Sequence, residues 1–205
     1  MNYLVQLYLS DDDPFCRLGN LMGDFVKGPL AQYDYPDRLL EGVRQHRPVD
    51  TLAQGHAAVR RSKARLDDRF GHTKGILIDI FYDHYLSRNW EKWGLGSLRA
   101  FAEAGYRLLN RHRDILPEAF QPVARRIIRY DWLRAYRHPD TIRFVLERMS
   151  GRLTRPNLLA QGYMELHRCG RGLEVDCHDF LRSAAAILGE STGEPVPWQS
   201  ITGLR

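Results

Sequence analysis

Four prolines, Pro36, Pro117, Pro139 and Pro156, each open a run with apolar side chains at three- and four-residue intervals. Proline suits the first turn of a helix, where its missing N–H has no partner to lose, and is costly further in. Repeated four times, the placement marks where helices begin. The other segments carry the same period. Residues 2–9 leave helix and strand both open. A helix over 17–26 is ended by Gly28-Pro29, and the one opened by Pro36 carries Leu39, Leu40 and Val43 on one side. Pro48 is expected to end or kink that helix near His46 and Arg47. A basic helix follows over 56–68 and is closed by Gly71; Thr73 is then expected to cap a helix to about Trp90. Further helices are expected over 98–112, 117–136, 139–149, 156–166 and 176–188. No alternation is long enough for a sheet, so the expected class is all-α. A single helical domain is expected over 1–188, followed by a loosely ordered tail over 189–205.

Composition narrows the class of function. Hydrophobic residues are 43% and charged residues 27% of 205, enough to bury a core in one domain. No apolar run approaches the roughly 20 residues of a membrane span. The first ten residues lack a basic start and run into Asp11-Asp12-Asp13, unlike a signal peptide. Cys16, Cys169 and Cys177 form no CxxC pair and read as reduced thiols of a cytoplasmic protein. The formal net charge is +5, and 26 of the 30 basic residues are arginine. Such a surface favours an acidic partner: nucleic acid, a phosphorylated metabolite or an acidic protein. Arg60, Arg61, Lys63 and Arg65 on one helix are the expected docking face.

Three segments place acids and imidazoles among apolar neighbours, where an unpaired charge costs several kcal/mol. They are Gly19-Asn-Leu-Met-Gly-Asp24-Phe-Val-Lys-Gly28, Gln45-His46-Arg-Pro-Val-Asp50 and Asp79-Ile-Phe-Tyr-Asp83-His84-Tyr-Leu-Ser-Arg-Asn-Trp90. On a helix, Ile76, Ile80, Asp83, His84 and Ser87 share one sector with Asp79 at its edge. Two aspartates one turn apart on a core-facing side repel unless a cation lies between them. A shared metal satisfies them, and so does pairing with buried arginines. His46 and Asp50 stand at i, i+4, and the glycines around Asp24 permit close approach of another helix. Lys27 and Arg17 are the partners for Asp24 if it forms only an ion pair. No Walker loop, GxGxxG, HExxH or GxSxG pattern is present.

These segments, with Met-Asn-Tyr-Leu at the start, resemble the acyl carrier protein phosphodiesterase family over residues 1 to about 188, most strongly before Trp93. The family is similar to the HD-type metal-dependent phosphohydrolases. The resemblance therefore implies a single HD-phosphohydrolase-like helical domain. It also implies removal of 4′-phosphopantetheine from the serine of holo acyl carrier protein, assisted by Mn²⁺ or Mg²⁺. Asp24, Asp79, Asp83 and His84 are then the expected metal ligands, with Asp24, His46, Arg47 and Asp50 as catalytic groups and Arg47 on the phosphate. It implies neither a nucleic acid nor a membrane as partner, and leaves the oligomeric state unstated. Relatives commonly begin in a pattern like Asn-Phe-Leu-Ala-His-Leu-His-Leu; Gln6 and Tyr8 stand here in place of its histidines. Two other readings remain: an HD-like phosphohydrolase of a nucleotide or small phosphodiester, and a non-catalytic helical binding protein of the same fold.

Overall fold

A computed structural model describes residues 1–192, with side chains described through Ile187. Twelve α-helices and five short 3-10 turns account for the secondary structure of the described residues, with no strand among them. The helices are α1 Tyr3–Leu9, α2 Pro14–Met22, α3 Asp37–Gly55, α4 Ala57–Arg65, α5 Lys74–Arg88 and α6 Trp90–Trp93, then α7 Leu98–Arg111, α8 Gln121–Arg129, α9 Trp132–Ala135, α10 Pro139–Ser150, α11 Glu165–Arg168 and α12 Gly170–Thr192. The all-α class is as expected. Helix α12 continues past Leu188, and the rest of the expected tail, 193–205, lies outside the described residues.

Helices α2 and α3 pack with their backbones in contact, and glycine is the reason. A Cβ at Gly19 would lie 2.0 Å from the carbonyl oxygen of Leu39, and one at Gly42 would lie 1.9 Å from that of Cys16. Each glycine thus faces the other helix's main chain, and no side chain fits between. This contact carries the 3-10 turn Gly23–Phe25, which follows α2, over the middle of α3.

Helix α3 does not end at Pro48; it runs on to Gly55. The expected break is corrected by exposure. Pro48 and Arg44, one turn apart, both face solvent, so water can satisfy the Arg44 carbonyl that loses its helical N–H partner. His46 and Asp50 therefore stay on one face. Thr73 precedes α5, but its hydroxyl donates to the Phe70 carbonyl and makes no cap bond. The helix expected over 117–136 is interrupted instead at Asp131, which adopts a left-handed φ of 50° between α8 and α9.

Helix α1 is buried from Leu4 to Leu9. Its Asn2 gives no side-chain cap, so the orphan donors of its first turn need acceptors from elsewhere. Asp83 of α5 supplies them: its two oxygens accept from the Leu4 and Val5 N–H groups at 3.0 and 2.9 Å. Elsewhere, Asp176 of α12 accepts from Arg61 (2.9 Å), Arg65 (2.7 Å) and Ser62 (3.2 Å), all on α4. Arg61 also pairs with Asp179. These ties fasten α12 across α4, so two members of the expected docking face are committed to holding the fold.

Candidate metal centre

Asp24 comes from the turn after α2, and His46 and Asp50 from adjacent turns of α3. One ligand atom from each lies within 4.8 Å of the others. Gly23 makes this approach feasible, since a Cβ there would sit 2.3 Å from Cγ of the His46 ring. His46 is buried, while the Asp24 and Asp50 side chains are partly open to solvent.

The tautomer of His46 follows from its partners. Nδ1 lies 2.9 Å from the Asn20 carbonyl oxygen, which can only accept, so Nδ1 carries a proton. Nε2 faces the carboxylates at 3.5 Å (Asp24) and 3.3 Å (Asp50), without hydrogen-bond geometry to either. In the neutral ring that atom is a lone pair directed at negative charge, which calls for a proton or a metal ion. Burial alone would lower the His46 pKa; the two carboxylates outweigh it and raise it to about 9. Asp24 is correspondingly lowered, chiefly by His46. Burial raises Asp50, but His46 and the Met1 amino group prevail and bring it to about 2.

Gln6 of α1 completes the inner wall. Its Nε2 donates to Asp50 Oδ1 at 2.8 Å, while its buried Oε1 has no partner. The α-amino group of Met1 reaches the same Asp50 oxygen at 2.7 Å and lies 3.8 Å from Asp79. Two buried atoms without a hydrogen-bond partner, His46 Nε2 and Gln6 Oε1, thus adjoin two carboxylates. That donor set fits a divalent cation that prefers oxygen and imidazole ligands.

The expected site residues divide. Asp24, His46 and Asp50 come together, and Asp79 lines the same cleft. Asp83 lies apart from the cluster, with both oxygens occupied by α1; burial, against those two N–H groups, raises its pKa to about 7. His84 points elsewhere, its Nδ1 2.7 Å from the Tyr136 carbonyl oxygen, and burial lowers its pKa. Arg47 donates to the carbonyls of Val26 (3.2 Å) and Gly28 (2.8 Å), fastening the segment beyond Asp24. Tyr8 is remote as well: its hydroxyl donates to the Trp93 carbonyl and its ring meets Trp90 edge-on. Of Gln6 and Tyr8, only Gln6 adjoins the cluster.

Asp24 and His46 lie, with Gln6 and Asp79, in the wall of a cleft of about 690 Å³. Opposite stand apolar groups, among them Val123, Trp132 and Tyr136, and five arginines: Arg125, Arg126, Arg129, Arg148 and Arg152. These arginines were not singled out from sequence, though Arg125 and Arg129 stand four residues apart on α8, a spacing that shares one helical face.

Comparison with known proteins identifies the family. The family model described as acyl carrier protein phosphodiesterase matches residues 1–184. The chain is similar to three proteins that carry that name. The protein from Photorhabdus laumondii is 33% identical over 82% of this chain and 85% of its own. The one from Pectobacterium atrosepticum is 34% identical over 78% and 82%, and that from Serratia proteamaculans 30% over 88% and 93%. No solved structure matches. With a family match that takes in Asp24, His46 and Asp50 together, the chain belongs to the acyl carrier protein phosphodiesterase family.

Proposed function

We propose that this protein is a cytoplasmic hydrolase of holo acyl carrier protein. It would cleave the phosphodiester between 4′-phosphopantetheine and the carrier serine, with Mn²⁺ or Mg²⁺ held by Asp24, His46 and Asp50. The observation that carries this reading is His46 Nε2, buried without a hydrogen bond and facing two carboxylates at 3.5 and 3.3 Å in the wall of a cleft. Such an ion supplies Lewis-acid polarisation of a phosphoryl group and makes water more acidic near neutral pH.

The chain's own residues prepare the site. The Asn20 carbonyl fixes the ring of His46 and its tautomer, the kind of outer support that orients a metal ligand. Gln6 holds the Asp50 carboxylate from the opposite side. Asp79, on the same cleft and outside the three-residue cluster, is the carboxylate left to accept the proton of the attacking water. The apolar wall gives the pantetheine arm a surface away from bulk water. No helix among the described residues is long and apolar enough to cross a membrane.

The test is to incubate the protein with holo carrier protein and Mn²⁺ and follow the carrier's intact mass. Conversion to the apo mass, stopped by chelator and restored by Mn²⁺, is expected. An unchanged carrier mass at all metal concentrations would refute the reading.

A further inference from the structure

A phosphodiester on the surface of a folded carrier reaches the cleft wall only if the carrier covers the cleft mouth. The residues there must then match that partner. On α8, Arg125 and Arg129 are exposed; on α10 and just beyond it, so are Arg148 and Arg152. All four line the cleft, and none has an ion-pair partner among the described residues, in contrast to Arg61 and Arg65. Four like charges on one wall, none of them in an ion pair, repel one another in the free protein.

Between them stand the exposed side chains of Tyr130 and Phe144, each 53% accessible and each lining the cleft. The Arg129 guanidinium lies over the Tyr130 ring at 5.5 Å, and that of Arg148 over the Phe144 ring at 5.5 Å. A guanidinium stacked by its face keeps its N–H edge free for a carboxylate, and the stack limits the freedom lost on pairing. Arginine and aromatic residues are also the side chains that most often anchor protein interfaces. A nucleotide small enough to enter the cleft would need neither exposed stack.

We propose that the wall made by α8 and the C-terminal end of α10 is the docking face for an acidic protein surface, with the Arg129–Tyr130 and Arg148–Phe144 stacks as its anchors. The partner's chemistry rests on the function proposed above: it is the acidic face of the carrier whose serine bears the phosphodiester. The docking face thus lies on α8 and α10 rather than on α4.

The experiment uses the full chain in two assays. Binding of holo carrier protein is titrated with chelator present, so that no turnover is needed; hydrolysis of bis(4-nitrophenyl) phosphate is measured with Mn²⁺. Arg129→Glu combined with Arg148→Glu is expected to weaken carrier binding at least about tenfold and to flatten its salt dependence. Hydrolysis of the small diester should stay within about twofold, since it has no surface to span the mouth. Arg152→Glu, beyond the end of α10, is the second variant should the double reversal not fold, with a loss of about threefold. Unchanged carrier affinity in the folded variants overturns the proposal. So does an equal loss on the small diester, which would place the arginines in the reaction itself, or displacement of the carrier by a single-stranded oligonucleotide at equal concentration. Carrier that binds the wild type but is never hydrolysed overturns the hydrolase and leaves the docking face standing. Carrier that is hydrolysed while the reversals bind it normally does the opposite.

Discussion

Two clusters in this molecule gather aspartates beside potential cations, and they end differently. Around Asp176, charge is answered within the protein: Arg61, Arg65 and Ser62 occupy its oxygens, and Ser62 is itself within 3.0 Å of the Tyr82 hydroxyl. Around Asp50 the charge is answered by the Met1 amino group, Gln6 and His46, but the hydrogen bonding is not complete. Two carboxylates approach His46, yet Nε2 of that ring and Oε1 of Gln6 are buried without partners. Proteins seldom leave buried polar atoms unpaired. The closed cluster serves the fold, and the open one leaves two buried polar atoms without hydrogen bonds, the basis of the proposed metal site.

The contrast breaks most plainly at Asp50. Asp50→Ala should lower hydrolysis by about a thousandfold, the equivalent of several kcal/mol of transition-state stabilisation, and should abolish metal uptake by calorimetric titration. The helical circular-dichroism spectrum should persist. Retained metal affinity in this variant would move the centre elsewhere. Asp176→Ala should show the opposite profile. Its oxygens accept hydrogen bonds from charged groups, so about 2–3 kcal/mol of stability should be lost in urea unfolding. The cost falls below that of breaking a fully buried pair because the arginine side chains are 46% and 40% exposed and can turn to water. Metal affinity should be unchanged.

Gly23→Ala sharpens the comparison without touching a charge. The new methyl must displace the His46 ring, so metal affinity should fall about 10–100-fold, the usual cost of disturbing a ligand's support. The same substitution should also cost about 1–3 kcal/mol of stability, since the atoms it meets are the first two of a buried side chain. An affinity equal to wild type would show that the ring has room to shift.

The smallest effect concerns Asp83, buried like Asp176 but occupied by main-chain donors. Asp83→Asn keeps one good acceptor and turns an amide N–H₂ toward a backbone N–H, so about 1–2 kcal/mol should be lost near neutral pH. Its pH dependence has a definite sign. The folded pKa of about 7 lies above the ordinary carboxylate value, so the native state binds the extra proton between about pH 4 and 7. Wild-type stability should therefore decline, relative to Asp83→Asn, as pH rises through that window. Metal affinity should match wild type wherever the variant is folded, in contrast to the expectation that Asp83 is a ligand.

Much of this was legible in the amino-acid order because the relevant physics is local. Pro139 stands at the first residue of α10, and the i, i+4 pair His46 and Asp50 meets on one face of α3. The glycines around Asp24 read correctly as a close helix approach. What escaped depends on partners distant in sequence. Periodicity placed Asp83 and His84 inside but could not say what they meet there: for Asp83, amides 78 and 79 residues away. Arg61 and Arg65 looked like a free basic face because Asp176 is more than a hundred residues downstream. Pro48 misled for a different reason, since the break it threatens depends on whether water can reach one carbonyl.

The backbone contact at Gly19 and Gly42 also bears on the order in which the molecule assembles. Every member of the Asp24–His46–Asp50 cluster belongs to α2, α3 and the turn between them, a continuous stretch that closes on itself over short chain separations. The tie between Arg61 and Asp176 must close a loop of 115 residues. Short loops close sooner than long ones, so the ligand set should be complete while α12 is still unattached. Pulse-labelled amide exchange during refolding should find early protection in α2 and α3 and late protection in α12; simultaneous protection would contradict this order. An ion present from the start would then meet its ligands in a half-built protein and would favour the intermediate that all later helices must dock upon.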